Sequence, residues 1–243
     1  HCYFIGGEAD GELGVRVAVR ERVKAGVDWI KVMASGGNMT PGSNVYAAQY
    51  TVEELAAIVE EAHRLGRRVA AHCHGIEGIR VAVAARVDTL EHCSFQTPDG
   101  AEKDDELIAE IARSGIAVSP TIPVSLEAAR GTERWDRRAA LTSELFRAGC
   151  EVLMSTDCGI PRVPHDSLAG GMRVLADLAG LSAVATLKLA TSTSARLLGL
   201  DDRGAIEPGK RADLLVVEGD PTEDLSALER VRHVIANGQL VSA

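Results

Sequence analysis

The sequence predicts an α/β fold with a parallel sheet, organised around residues 69–75, V-A-A-H-C-H-G. The first observation is alternation. Apolar runs of strand length are followed by loops and then amphipathic runs of helix length, at roughly 20 to 40 residues per unit, which is the pattern of crossover connections. The second is that residues 69–75 end an apolar run in two histidines and a glycine. Side chains alternate faces along a strand, so His72 and His74 share a side, and the glycine is expected to let the chain turn into a helix. The third is position: polar, metal-capable groups at the carboxyl end of a buried strand mark the mouth of an α/β barrel.

The elements follow in order. Residues 1–7, H-C-Y-F-I-G-G, read as a strand end entering a glycine-rich loop. Residues 13–25 place Leu13, Val17, Val23 and Ala25 among charges, and Gly26 stops them as a helix. Residues 28–33, D-W-I-K-V-M, form a strand, with A-S-G-G-N-M-T-P-G-S as a long loop after it. Thr51 starts a helix through a capping box, T-V-E-E, that ends near Leu65 at Gly66. Strands are expected at 68–72, 87–92, 116–119 and 151–156, and helices from after Gly75 to about Arg86, at 102–114 and at 134–148. After Leu198 the texture becomes turn-rich. A β run at 213–217 is followed by runs at 231–236 and 239–241 around Asn237-Gly238, a strong hairpin signal. This divides the chain into a barrel part, 1–199, and a β part, 200–243.

Composition narrows the function. The 243 residues suffice for a real core. A net charge of −9, with no dense basic cluster, argues against a nucleic-acid face. No apolar run approaches the roughly 20 residues of a membrane span. The five cysteines are never spaced C-x-x-C, which points away from a disulfide framework or cysteine-rich zinc finger and towards a reducing cytoplasm. No phosphate-binding glycine motif follows any strand. The chain begins His1-Cys2-Tyr3, without initiator methionine or targeting pattern, as the middle of a longer protein would.

Four strand ends carry chemistry: Lys31, His72, His92 and Asp157. Each alone has a structural reading: a solvated lysine, two hydrogen-bonded histidines, an aspartate capping a turn. Together they sit at equivalent positions of four βα units, which a barrel brings to one mouth. A lysine beside cations loses its proton more readily, and its neutral amine can take up CO2 to become an anionic carbamate ligand. Imidazole and carboxylate suit zinc, one or two ions, with manganese or cobalt as alternatives. Zinc lowers the pKa of a bound water to about 7, and Asp157 is placed to carry a proton from the attacking water to a leaving nitrogen. Cys73, Cys93 and Cys158 each follow a ligand candidate, and alternation is expected to bury them away from the metal.

The segments K-V-M-A-S-G-G-N-M-T-P-G, A-A-H-C-H-G-I-E-G-I, T-L-E-H-C, S-T-D-C-G and A-T-S-T-S-A-R-L-L-G-L-D-D-R-G-A-I-E-P-G-K-R-A-D-L-L-V-V together resemble the amidohydrolase superfamily, in its imidazolonepropionase-like and Xaa-Pro dipeptidase-like branch. The resemblance covers essentially the whole chain. It implies a distorted (β/α)8 TIM-like barrel with a β-sandwich built from both chain ends. By position, Lys31 resembles the carboxylated lysine of the fourth barrel strand. His72 and His92 resemble the metal ligands of strands five and six, and Asp157 the ligand and proton shuttle of strand eight. His74 and His1 resemble substrate-side histidines, and Tyr46 and His165 lie in loops that can reach a substrate. The family's first-strand His-x-His is absent, so by this register the barrel is N-terminally incomplete, lacking its first two strands, most of the third and half of the sandwich. The resemblance thus implies a metal-dependent hydrolase of amide or related C–N bonds in a small molecule such as a dipeptide or N-acyl amino acid. The rivals are a catalytically silent barrel unit needing a partner chain, and a lactonase or phosphotriesterase-like esterase. The alternatives are that the chain is a fragment of a longer protein or that a second polypeptide completes the barrel, with a homo-oligomer as a further partner reading. An upstream strand ending in His-x-His would discriminate the first two readings.

Overall fold

The computed structural model describes residues 6–242, so the readings of His1 and of the strand end at residues 1–5 lie outside the described residues. The chain divides into two units, residues up to Ser119 with Arg147–Glu151, and Pro120–Phe146 with residues from Val152 onward.

The first unit contains α1 (Gly11–Lys24), β1 (Trp29–Met33), α2 (Val52–Arg64), β2 (Arg68–Gly75), α3 (Ile76–Ala84), β3 (Thr89–Thr97), a short β4 (Gly100–Ala101), α4 (Asp105–Ser114) and β5 (Ala117–Ser119). Strands β1, β2, β3 and β5 pair side by side and parallel, as the strand–helix alternation predicts, and β4 folds back antiparallel on β3. The register sets two rows across the sheet: Lys31, Ala70, Thr89 and Ala117, then Met33, His72, Glu91 and Ser119. The intervening residues Ile30, Val32, Val69, Ala71, Cys73, Leu90 and Val118 are all buried. Helices supply the other side of that layer, through Leu55, Ile58, Val59 and Ala62 of α2, Ile79, Ala82 and Val83 of α3, and Leu107, Ile108 and Ile111 of α4. Each leucine, isoleucine or valine among them contributes roughly 1.5–3 kcal/mol by burial. A slip of one residue would exchange the faces, so this apolar layer is what holds Lys31, His72 and Glu91 on the opposite face.

Helix α2 begins where its capping box predicts. Thr51 Oγ1 accepts the Glu54 N–H at 3.2 Å, and Glu54 Oε2 accepts the Thr51 N–H at 2.9 Å. Glu54 Oε1 also accepts the Gly11 N–H at 2.9 Å, tying the start of α1 to that of α2. Lower on the same pair of helices, buried Glu61 meets Arg20 at 2.7 Å, Arg16 at 3.7 Å and Arg64. Helix α4 ends at Gly115, whose φ of 73° suits glycine.

The second unit contains all but the last residue of α5 (Glu133–Arg147), with α6 (Leu168–Ala179), α7 (Ala183–Lys188), a π turn over Leu189–Thr193 and α8 (Ser194–Leu198). Ser194 Oγ stitches this turn, donating to the Leu189 carbonyl at 2.7 Å and accepting the Met154 N–H at 3.1 Å. Antiparallel β6 (Leu214–Val217), β7 (Val231–Ala236) and β8 (Gln239–Ser242) follow. Asn237 and Gly238 both have positive φ, 50° and 78°, as a type I′ hairpin requires.

The strand expected at residues 151–156 does not form. In the first unit Glu151 O accepts the Val118 N–H at 2.7 Å, and in the second Ser155 O accepts the Ile122 N–H at 2.8 Å. A continuous ladder is blocked because Pro120 and Pro123 bring no N–H and Thr121 has a φ of 48°. Among the described residues no helix is long and apolar enough to cross a membrane.

Candidate metal centre

The site is assembled at the carboxyl ends of β2 and β3. His72 is 3% exposed and His74 is half-buried, and their rings meet edge-on with centroids 4.6 Å apart. Between them Cys73 points the other way, its thiol donating towards the Gly78 carbonyl of α3 at 3.9 Å. Strand alternation therefore delivers the histidine pair as the sequence predicts.

His92 reaches the same place by breaking that alternation. The register pairs it with Cys73, so a regular strand would aim its ring at the helix layer. Instead φ is 67° at His92, 43° at Cys93 and 50° at Phe95, left-handed values that are rare without glycine. The twist carries the imidazole to the other face, 4.5 Å from His72 and 4.4 Å from His74, against which it stacks at 26°. Non-glycine residues in this region store of order 1 kcal/mol or more each. Here the strain converges three rings.

The nitrogens of His72, His74 and His92 able to bind a cation lie within 4.8 Å of one another. Two nitrogens on a tetrahedral zinc, each at about 2.05 Å, stand about 3.3 Å apart, so a closure of about 1.5 Å or less completes such a geometry. The electrostatics agree. Burial, helped by His74 and the Lys31 ammonium, pushes the His72 imidazole down to about 3, so it is neutral with a lone pair available at ordinary pH. His72 Nε2 donates to the Gly36 carbonyl at 3.2 Å, which orients the ring. The donor set fits a divalent ion such as zinc.

The loop after β1 locks this arrangement. Ala34 and Ser35 both donate their N–H groups to the His72 carbonyl, at 3.0 and 3.1 Å, and Ser35 Oγ accepts the His74 N–H at 2.8 Å. Gly75 has an ordinary φ of −75°, so it is not required as a hinge. It is required for space: a Cβ there would fall 2.4 Å from Tyr46 O and 2.6 Å from Tyr46 Cα. The glycine after His-x-His thus admits the Tyr46 backbone, and the Tyr46 side chain is 37% exposed above it.

Lys31 lies on the site face of β1, in the row before His72, and is exposed. It also borders a cavity of about 370 Å³ with Asp10, Arg22 and Tyr50. In the second unit Asp157 is exposed with a φ of 57°, and His165 places Nε2 3.1 Å from where a Cβ on Gly159 would sit. Cys73 is fully buried, as alternation predicts, and Cys93 is fully buried where the left-handed residues break that alternation. Cys158 is exposed instead, because no strand runs through Asp157 to turn it inward.

Two contributors were not singled out from sequence. Ser94 Oγ lies 2.8 Å from His74 Nδ1, and Gln96 Nε2 lies 3.5 Å from the same atom. Both follow His92 at even spacing, the one signal that could have marked them.

The amidohydrolase family model matches residues 2–241. Ochratoxinase of Aspergillus niger is 33% identical over 248 residues, covering 96% of this chain and 50% of that protein. Imidazolonepropionase of Paracoccus denitrificans is 33% identical over 170 residues, covering 69% of this chain and 39% of that protein. Among solved structures, a Xaa-Pro dipeptidase with bound methionine in its active site superposes with a TM-score of 0.83 at 30% identity, over 97% of this chain and 59% of that one. The chain spans about half the length of the curated relatives it matches, and its fold is of their TIM-barrel type. It belongs to the amidohydrolase family.

Proposed function

We propose that this chain carries the catalytic face of a metal-dependent hydrolase that cleaves an amide or related C–N bond in a small molecule, a dipeptide or an N-acyl amino acid. The observation that carries the reading is the convergence of His72, His74 and His92 within 4.8 Å at strand ends of an amidohydrolase chain. Similarity to a Xaa-Pro dipeptidase and to a prolidase solved with N-methylphosphonate-L-proline supports the substrate class.

In this reading His72 and His92 would hold a zinc ion with Lys31, as its carbamate, and the S-T-D-C-G motif assigns Asp157 to the same ligand set. The carbamate forms when the neutral Lys31 amine bonds to CO2 and releases a proton. A bound zinc supplies a water of lowered pKa and polarises the scissile carbonyl. His74 donates a hydrogen bond where negative charge grows on the carbonyl oxygen. Asp157 would accept a proton from the attacking water and pass it to the departing nitrogen, a role that rests on the S-T-D-C-G motif. Tyr46 and His165 lie in loops assigned to the substrate side, and the family resemblance adds His1. Residues 1–199 supply the barrel and residues 200–243 the sandwich segment, in a protein of a reducing compartment.

The test is hydrolysis of Met-Pro, Ala-Pro and N-acetyl-L-methionine by the protein reconstituted with zinc. Activity that is lost in His72→Asn and restored by zinc after chelation supports the reading. A protein that binds zinc and turns over none of these amides, yet opens a lactone or phosphotriester, would move it to the esterase class.

A further inference from the structure

At Nδ1 the ring of His74 meets two side chains of β3. Ser94, only 9% exposed, places Oγ 2.8 Å from His74 Nδ1, and the Gln96 amide nitrogen stands 3.5 Å from the same atom. A hydroxyl can donate or accept, but an amide nitrogen only donates. Were Nδ1 protonated, its hydrogen would oppose an N–H of Gln96. With Nδ1 bare, its lone pair takes the Ser94 proton as the main bond and faces the Gln96 N–H as a second, longer one. The neutral ring then carries its proton on Nε2.

Resting on the function proposed above, we infer that Ser94, with Gln96 in support, is a positioning residue that sets His74 as the Nε2–H tautomer. His74 is therefore a hydrogen-bond donor to the substrate carbonyl and not a third metal ligand. The surroundings are built for this. Fully buried Phe95, at a φ of 50°, anchors the backbone that presents Ser94. The Ser35 hydroxyl pins the His74 backbone, and His92 stacks on the ring. Only a ring fixed in both tautomer and tilt presents N–H towards a developing oxyanion within the 2.7–3.1 Å that such donors need.

The test is nitrogen-15 NMR of the histidine rings in the full chain, recorded at alkaline pH without metal and again with added zinc. His74→Gln assigns the signal by removing it. The expected result is a proton on Nε2 in both states, while the His72 and His92 signals shift with zinc. Ser94→Ala mixes the two tautomers and Ser94→Thr keeps the native one, whereas Gln96→Met gives a smaller shift than Ser94→Ala. On N-acetyl-L-methionine, Ser94→Ala lowers kcat about tenfold and leaves KM within about twofold. A proton on Nδ1 in the native chain, or a His74 signal indifferent to Ser94→Ala, overturns the inference. If zinc moves no histidine signal, the metal-site reading fails, while the metal-free tautomer still decides the role of Ser94.

Discussion

Replacing Gly75 with alanine tests how the loop after β1 is built onto the histidine pair. The backbone of Gly75 accepts any residue, so the effect comes from the added Cβ alone. That atom would lie 2.4 Å from Tyr46 O, 2.6 Å from Tyr46 Cα and 2.7 Å from Tyr46 C. A relaxed contact needs about 3.5 Å, so the loop must retreat by about 1 Å. The obstacle is backbone, which cannot swing aside as a side chain can. Overpacking of this kind costs about 1–3 kcal/mol, offset by roughly 0.4–1 kcal/mol from the stiffer unfolded chain. The net loss is about 1–2 kcal/mol, or roughly 2–8 °C in Tm for a chain of this size. The retreat also draws the Gly36 carbonyl from His72 Nε2, now 3.2 Å away, and loss of such an orienting partner weakens metal affinity about 10- to 100-fold. Urea unfolding followed by circular dichroism measures the first effect, and competition with a fluorescent zinc chelator the second. A Gly75→Ala protein with an unchanged midpoint and unchanged zinc affinity would refute the reasoning.

Thr51→Ala removes the cap of α2 and is expected to cost about 1 kcal/mol in the same urea titration, with Thr51→Ser close to native. Glu61 is held near pKa 2 by hydrogen bonds from Arg64 and Arg20, against a usual value of 4.5. A carboxylate with a depressed folded pKa stabilises fully above its unfolded pKa and loses that contribution as pH falls through the folded value. The stability gap between native protein and Glu61→Gln should therefore be largest at neutral pH and shrink as pH drops from about 4.5 towards 2. A gap that does not change with pH would contradict the assignment. Of Cys73, Cys93, Cys150 and Cys158, iodoacetamide should label only Cys158 in the native state and all four after denaturation, as read by peptide mass mapping. Burial pushes the Cys73 thiol well up, which reinforces its inertness.

The parts of this molecule legible in the sequence are those written by period and by local chemistry. The T-V-E-E box marks the start of α2, Asn237-Gly238 marks the hairpin, and period two puts His72 and His74 on one face. What escapes reading is what departs from period. His92 joins the cluster only because left-handed residues at 92 and 93 reverse its side, so the motif identified it while its geometry came from strain. Residues 151–156 carry strand composition, but their neighbours at 120–123 bring two prolines and a left-handed Thr121, which no count of apolar residues registers. Gly75 looks like a hinge from its neighbours in sequence and proves to be a clearance for Tyr46, distant in order and touching in space. Ser94 was hidden because a lone serine shortly after a histidine is a weak signal, and only its distance to His74 Nδ1 gives it meaning.

The most direct test of the account is equilibrium zinc binding by the purified chain, with metal content and intact mass read on the same sample. The account predicts about one tightly held zinc per chain, abolished in His72→Asn/His92→Asn and retained in His74→Gln, since two imidazoles ligate and the third donates. Equal zinc content in the native and doubly substituted proteins, or none in either, would contradict it.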